Sequence, residues 1–109
     1  MIKIKGMLPS LKEKKRYIMF EALSEKPLNE KELSREIEKQ VYGFLGEYNT
    51  AKAGFMIVES KGNKGLIKVN NKYLDYVRSG LMMINKVSNN DTLINVINVS
   101  GMLNKSRVG

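Results

Sequence analysis

Apolar and polar positions change period several times along this chain, and each change predicts an element. Across Lys15 to Leu23, Tyr17, Ile18, Met19 and Phe20 form a short β-prone run, which predicts a strand. Helical spacing follows, with Leu33, Ile37, Val41 and either Phe44 or Leu45 on one stripe. Asn29 is placed to cap that helix, Glu32 stands at the capping-box position, and Leu28 can staple onto Leu33. Gly46 predicts its end. Ala53 to Ser60 and Gly65 to Asn70 read as two further strands, joined by a turn at Lys61-Gly62-Asn63. A second helix is expected after Asn70-Asn71, with Leu74, Val77, Leu81 and Ile84 on one face. Ser88-Asn89-Asn90-Asp91 ends it, Thr92 to Val99 gives a fourth strand, and Ser100-Gly101 turns the chain into a C-terminal segment.

The predicted order is β-α-β-β-α-β. That is the ferredoxin-like arrangement, also used by the RNA recognition motif: α+β, a four-stranded antiparallel sheet with two main helices on one face. The whole chain, residues 1–109, reads as a single domain without internal repeat or low-complexity linker. Two strands are apolar on both faces, since Leu93, Ile97 and Val99 alternate with Ile94 and Val96, and Phe55 and Ile57 with Met56 and Val58. Helices cover only one face of such a sheet. Either the chain's own termini wrap the other, or a partner protein covers part of it, with Ile94 and Val96 as the expected interface.

Charge sharpens this picture. The net charge is +8, unevenly spread: residues 1–20 hold six cations against Glu13, residues 21–47 hold seven Glu against four cations, and residues 48–109 hold nine cations against three carboxylates. An acidic segment inside a basic chain implies directed binding of a polyanion, with one side turned away. Two basic, turn-rich stretches flank the predicted sheet, Leu8 to Ile18 and Val99 to Arg107. Cations held at strand ends meet phosphates with little loss of side-chain freedom. Lys12, Lys14, Lys15, Arg16, Lys68, Arg78, Lys105 and Arg107 are the expected set facing a nucleic acid, RNA-binding by the resemblance given below. Ile2, Lys3, Ile4 and Lys5 alternate and lack the apolar core of a signal peptide, and no apolar run approaches ~20 residues, so a soluble intracellular protein without a membrane span is expected.

The chemistry that is missing is equally telling. With no His and no Cys, the usual general base, nucleophile and soft-metal ligands are gone. Nine of the eleven carboxylates are Glu, and Glu30, Glu32, Glu36 and Glu38 interleave with Lys31, Arg35 and Lys39 as on a solvated helix face. Phosphate-cradling and dinucleotide-binding glycine motifs are absent. An RNA recognition motif would carry aromatics on its third strand, but after Lys64-Gly65 those positions hold Leu66, Lys68 and Asn71. RNA binding would therefore work through backbone charge and shape, with Lys68 where a ring would stand.

Four segments carry a resemblance: Leu11 to Ile18; Gly46-Glu47-Tyr48-Asn49-Thr50-Ala51-Lys52-Ala53; Gly65 to Val69 with Tyr76-Val77-Arg78 onward to Ile84; and Val99 to Lys105. In this order the chain resembles the ribonuclease P protein component 2 family of archaea and eukaryotes. It departs at Gly80 (more often Ala), Met102 (usually Thr) and Ser106 (usually Ala). The resemblance implies a non-catalytic, cytoplasmic subunit of the ribonucleoprotein that removes the 5′ leader from precursor tRNA. It further implies that the RNA subunit performs Mg²⁺-dependent hydrolysis, that the protein itself binds no cofactor or metal, and that ribonuclease P protein component 3 and other ribonuclease P proteins are partners. The residues alone leave open a generic ferredoxin-like RNA-binding protein, such as a ribosomal or assembly factor, and a protein-interaction or ligand-sensing module.

Overall fold

The computed structural model describes residues 14–101. In chain order these form β1 (Lys15–Ser24), α1 (Glu30–Ala53), β2 (Met56–Lys61), β3 (Lys64–Asn70), a 3₁₀ turn (Asn71–Tyr73), α2 (Leu74–Met82), β4 (Lys86–Val87) and β5 (Asn90–Ser100). The sheet order is β2-β3-β1-β5-β4, antiparallel throughout. The architecture is α+β, with both helices on one face.

Five strands replace the expected four. The addition is β4, only two residues long, which pairs Lys86 with Asp91 and Val87 with Asn90. Its two-residue turn is made by Ser88 (φ 52°) and Asn89 (φ 67°). Positive φ at both central residues is the signature of a type I′ hairpin turn, which tight hairpins favour because its twist matches the strands. The polar run that predicted a helix stop is thus a hairpin turn. At the β2–β3 turn only Gly62 takes positive φ (62°), and the expected hairpin forms.

Alternation explains the core. On β1, Ile18, Phe20 and Ala22 are buried, and their partners Ile67 and Gly65 on β3 and Val99, Val96 and Ile94 on β5 share that face. The stripe of α1 that covers it is Leu33, Ile37, Val41 and Leu45, all buried, with Phe44 left exposed. From α2 come Val77 and Leu81, and Ile84 follows just past the helix end. Each fully buried Ile, Leu or Phe contributes about 1.5–3 kcal/mol by leaving water, so this one layer carries most of the fold's stability.

Helix ends follow the side-chain chemistry with one exception. Asn29 Oδ1 accepts from the N–H groups of Lys31 (2.8 Å) and Glu32 (3.2 Å), the expected cap. The Glu32 carboxylate accepts instead from the Ser88 hydroxyl, tying the start of α1 to the β4–β5 turn. Gly46 ends the first helical stretch of α1 as expected: at φ 83°, ψ 164° the helical path breaks, and a second helical stretch then runs to Ala53. Side chains serve the carbonyls beside the break, with Asn49 Nδ2 donating to Leu45 O (3.1 Å) and Thr50 Oγ1 to Gly46 O (2.7 Å). Gly54, in the left-handed region, caps the end, so β2 starts at Met56 and not at the expected Ala53.

Candidate nucleic-acid interface

Because β1 and β5 are antiparallel neighbours, the start of one lies beside the end of the other. Tyr17 is opposite Ser100 and Ile18 opposite Val99. A Cβ placed on Gly101 would stand 3.0 Å from an Arg16 guanidinium nitrogen, so the cation of the first basic stretch packs on the turn that begins the second. The same Arg16 nitrogen donates to Lys15 O at 3.1 Å, which fixes the head of the side chain. Residues some eighty positions apart in the chain thus share one end of the sheet.

More cations converge there. Lys15 is level with Asn70, the last residue of β3, and its ammonium lies near Gly54, at the C-terminal end of α1. Outward-pointing carbonyls make that helix end electronegative, a favourable place for a Lys. Lys14 O accepts from Asn71 N–H at 2.8 Å, joining the lead-in of β1 to the 3₁₀ turn that carries Lys72. Lys72 N–H is held in turn by Asn70 Oδ1 at 3.0 Å. Lys68 is level with Tyr17 and Met56 on the sheet face away from the helices. At the end of α1, Lys52 sits 5.1 Å from the centre of the Tyr48 ring, a cation–π contact.

Lys14, Lys15 and Arg16 stand together at this end, Arg16 level with the core residue Val69 on the helix side of the sheet and Lys68 on the outer side. Arg78 is exposed further along α2. Lys12, Lys105 and Arg107 lie outside the described residues. Lys72 and Lys52 are not legible as candidates in the sequence, because one resembles a helix start and the other a strand approach. The acidic start of α1 (Glu30, Glu32) lies at the opposite end of the sheet, where β1 ends and the β4–β5 turn begins. That end is mixed in charge, since Lys64 is level with Glu21, Lys61 is on the same β2–β3 turn, and Lys86 lies 3.6 Å from Asp91.

The apolar surface requires a correction. Ile94 is buried and Val96 packs against the core, so neither is available as an outward interface. Their direction is set by the pairs Ala22–Ile94 and Phe20–Val96, which place both under the helices. The outward residues are Leu93 (59% exposed) and Ile97 (44%), with Leu23 (44%) directly opposite Leu93. Ile97 is the extra residue of a β-bulge, and Val58 occupies the same role on β2 beside the exposed Met56. Leu66, on the same outer face, is fully buried. No helix among the described residues is long and apolar enough to cross a membrane.

Comparison with known proteins bears on this surface. Residues 16–108 match the model of the Rpp14/Pop5 family. "Ribonuclease P protein component 2" of Methanococcus vannielii is 32% identical over 104 residues, covering 95% of this chain and 80% of the relative. The protein of the same name from Methanocaldococcus jannaschii is 31% identical over 105 residues, covering 96% and 78%. That from Pyrococcus horikoshii is 29% identical, covering 96% and 89%. Among solved structures, a chain of yeast ribonuclease MRP, determined by cryo-electron microscopy, superimposes with a TM-score of 0.68 at 10% identity, covering 84% of this chain and 76% of that one.

Proposed function

The chain belongs to the Rpp14/Pop5 family, and from that membership we propose that it is a non-catalytic protein subunit of ribonuclease P. In this reading it supports the catalytic RNA that removes the 5′ leader from precursor tRNA, in the cytoplasm. Mg²⁺ serves the RNA subunit, and no side chain of this protein takes part in the hydrolysis. A chain with neither His nor Cys suits a binding role better than a nuclease one. The sheet is a ferredoxin-like arrangement of β1, β2, β3 and β5, to which β4 adds an edge.

The observation that carries the reading is the meeting of Arg16 with Gly101 at the shared end of β1 and β5. It anchors the cations Lys14, Lys15 and Arg16 where the second basic stretch begins, an arrangement suited to the closely spaced phosphates of a structured RNA. Ribonuclease P protein component 3 docks on the outer sheet face, over Leu23, Leu93 and Ile97, whose exposure invites a partner.

Reconstitution tests this reading. The purified protein with Mg²⁺ should leave precursor tRNA intact, and cleavage should appear on adding the ribonuclease P RNA and the partner proteins. Cleavage by the protein alone after rigorous removal of RNA would refute the supporting role. Unchanged cleavage when this protein is omitted from the complete mixture would refute membership in the complex.

A further inference from the structure

Four aromatic rings, Tyr42, Phe44, Tyr48 and Tyr76, are exposed, and all of them lie on α1 and α2. Two of them help to line a cleft. Phe44, Leu45 and Asn49 from α1, Lys72 and Tyr73 from the 3₁₀ turn, and Tyr76 from α2 surround about 440 Å³. That is within the roughly 300–1,000 Å³ of small-ligand sites.

Tyr73 packs against the hydrophobic core, and its ring centre lies 6.2 Å from that of Tyr76 at an interplanar angle of 47°. Tyr76 itself is 55% exposed, so its ring is held on one side and open on the other. Asn49 is anchored through Nδ2 to Leu45 O, which leaves its Oδ1 to accept from a base edge. Lys72 is the only charged group of the lining, and its backbone is pinned by Asn70. Glu47 and Asp75, the carboxylates on adjacent turns, stay outside the lining.

What the cleft adjoins decides its occupant. The bond from Asn71 N–H to Lys14 O makes the 3₁₀ turn continuous with the cationic end of the sheet. Lys72, on that turn, is therefore the lining cation that adjoins the Lys14–Arg16 segment. Ring faces beside a backbone-binding cation are the arrangement by which proteins hold unpaired nucleotides. We propose that the cleft between α1 and α2 takes one unpaired base of the bound RNA, stacked on Tyr76 with its phosphate on Lys72. The outer sheet lacks stacking rings on β3, so in this chain base stacking has moved to the helical layer. The inference rests on the RNA-subunit reading and assigns it a single-stranded contact.

Fluorescence anisotropy with the full chain tests it, using a labelled oligouridylate and a labelled RNA duplex of the same length. Tyr76→Ala should weaken oligouridylate binding roughly 5- to 100-fold and leave duplex binding unchanged, while Tyr76→Phe should retain both. Three results would overturn the cleft while leaving RNA binding intact: a Tyr76→Ala protein that binds oligouridylate like the wild type, one that loses duplex binding equally, and one whose only defect is in binding component 3. A different result separates the underlying reading. If the wild type binds neither probe, RNA binding itself fails and the cleft inference fails with it.

Discussion

The ring of Phe20 lies across the Cα of Gly65: a Cβ there would stand 2.4 Å from Phe20 Cζ and 2.6 Å from Cε2. Phe20 is 1% exposed and enclosed between the helices and the sheet, so its ring has nowhere to swing. In the sequence Gly65 marks only a strand start. In the structure it makes room for the largest side chain of the core.

Gly65→Ala should therefore destabilise the fold by about 1–3 kcal/mol, the usual cost of forcing volume into a packed interior. Chemical denaturation followed by circular dichroism measures it. A midpoint equal to the wild type would show that the core yields more easily than this packing implies.

Gly80→Ala should act in the opposite direction. Its nearest neighbours to a new Cβ are Phe44 Cβ and Val41 Cα, both at 3.7 Å, an ordinary contact. The gain from helix propensity is then up to about 1 kcal/mol, read as a raised denaturation midpoint. Gly46→Ala provides the contrast. Space is open around Gly46, but its φ of 83° and ψ of 164° fall in a region that is essentially glycine's alone, so Ala should cost about 1–3 kcal/mol.

Replacing Lys14, Lys15 and Arg16 together by Gln should weaken binding to structured RNA and flatten its salt dependence. The slope should fall by roughly 0.7–0.9 for each phosphate that is no longer neutralised. The same substitution at Lys31, Arg35 and Lys39, on the mixed-charge face of α1, should change the slope little. Titrations at several salt concentrations decide between them, and equal losses would mean that the cationic sheet end is not the RNA surface.

On β5, neighbouring residues should behave as opposites. Ile94→Ala removes a buried side chain from the core and should cost about 2–5 kcal/mol. Leu93→Lys, on the outer face, should leave stability within about 0.5 kcal/mol while weakening association with component 3. Denaturation and affinity measurements on both variants check this. A Leu93→Lys protein that binds the partner with wild-type affinity would place the partner elsewhere.

Local chemistry alone was enough for much of the fold. The Asn29 cap, the Leu33–Ile37–Val41 stripe, the Gly62 turn and the alternation along β1 each depend on residues close in sequence, whose preferences act before any tertiary contact forms. The α+β class, with two helices and an antiparallel sheet, followed from those elements, whereas the fifth strand at the sheet edge did not.

Other features needed the tertiary structure because they depend on pairing register or on packing between remote segments. A strand apolar on both faces does not reveal which set turns inward. Only the register of Ala22 with Ile94 and Leu23 with Leu93 settled that on β5, against the sequence expectation. Gly46 breaks the helix as its local chemistry implies, but the second helical stretch that follows it to Ala53, where a strand was expected to begin, was not legible in the sequence. The two-residue β4 is too short to leave a periodic signal and exists because β5 offers it an edge. Arg16 beside Gly101, and Lys14 beside the turn that carries Lys72, are neighbours only because antiparallel strands return the chain to the same place. Residue types set which groups could bind RNA, and the long-range hydrogen bonds of the sheet decided which of them stand together.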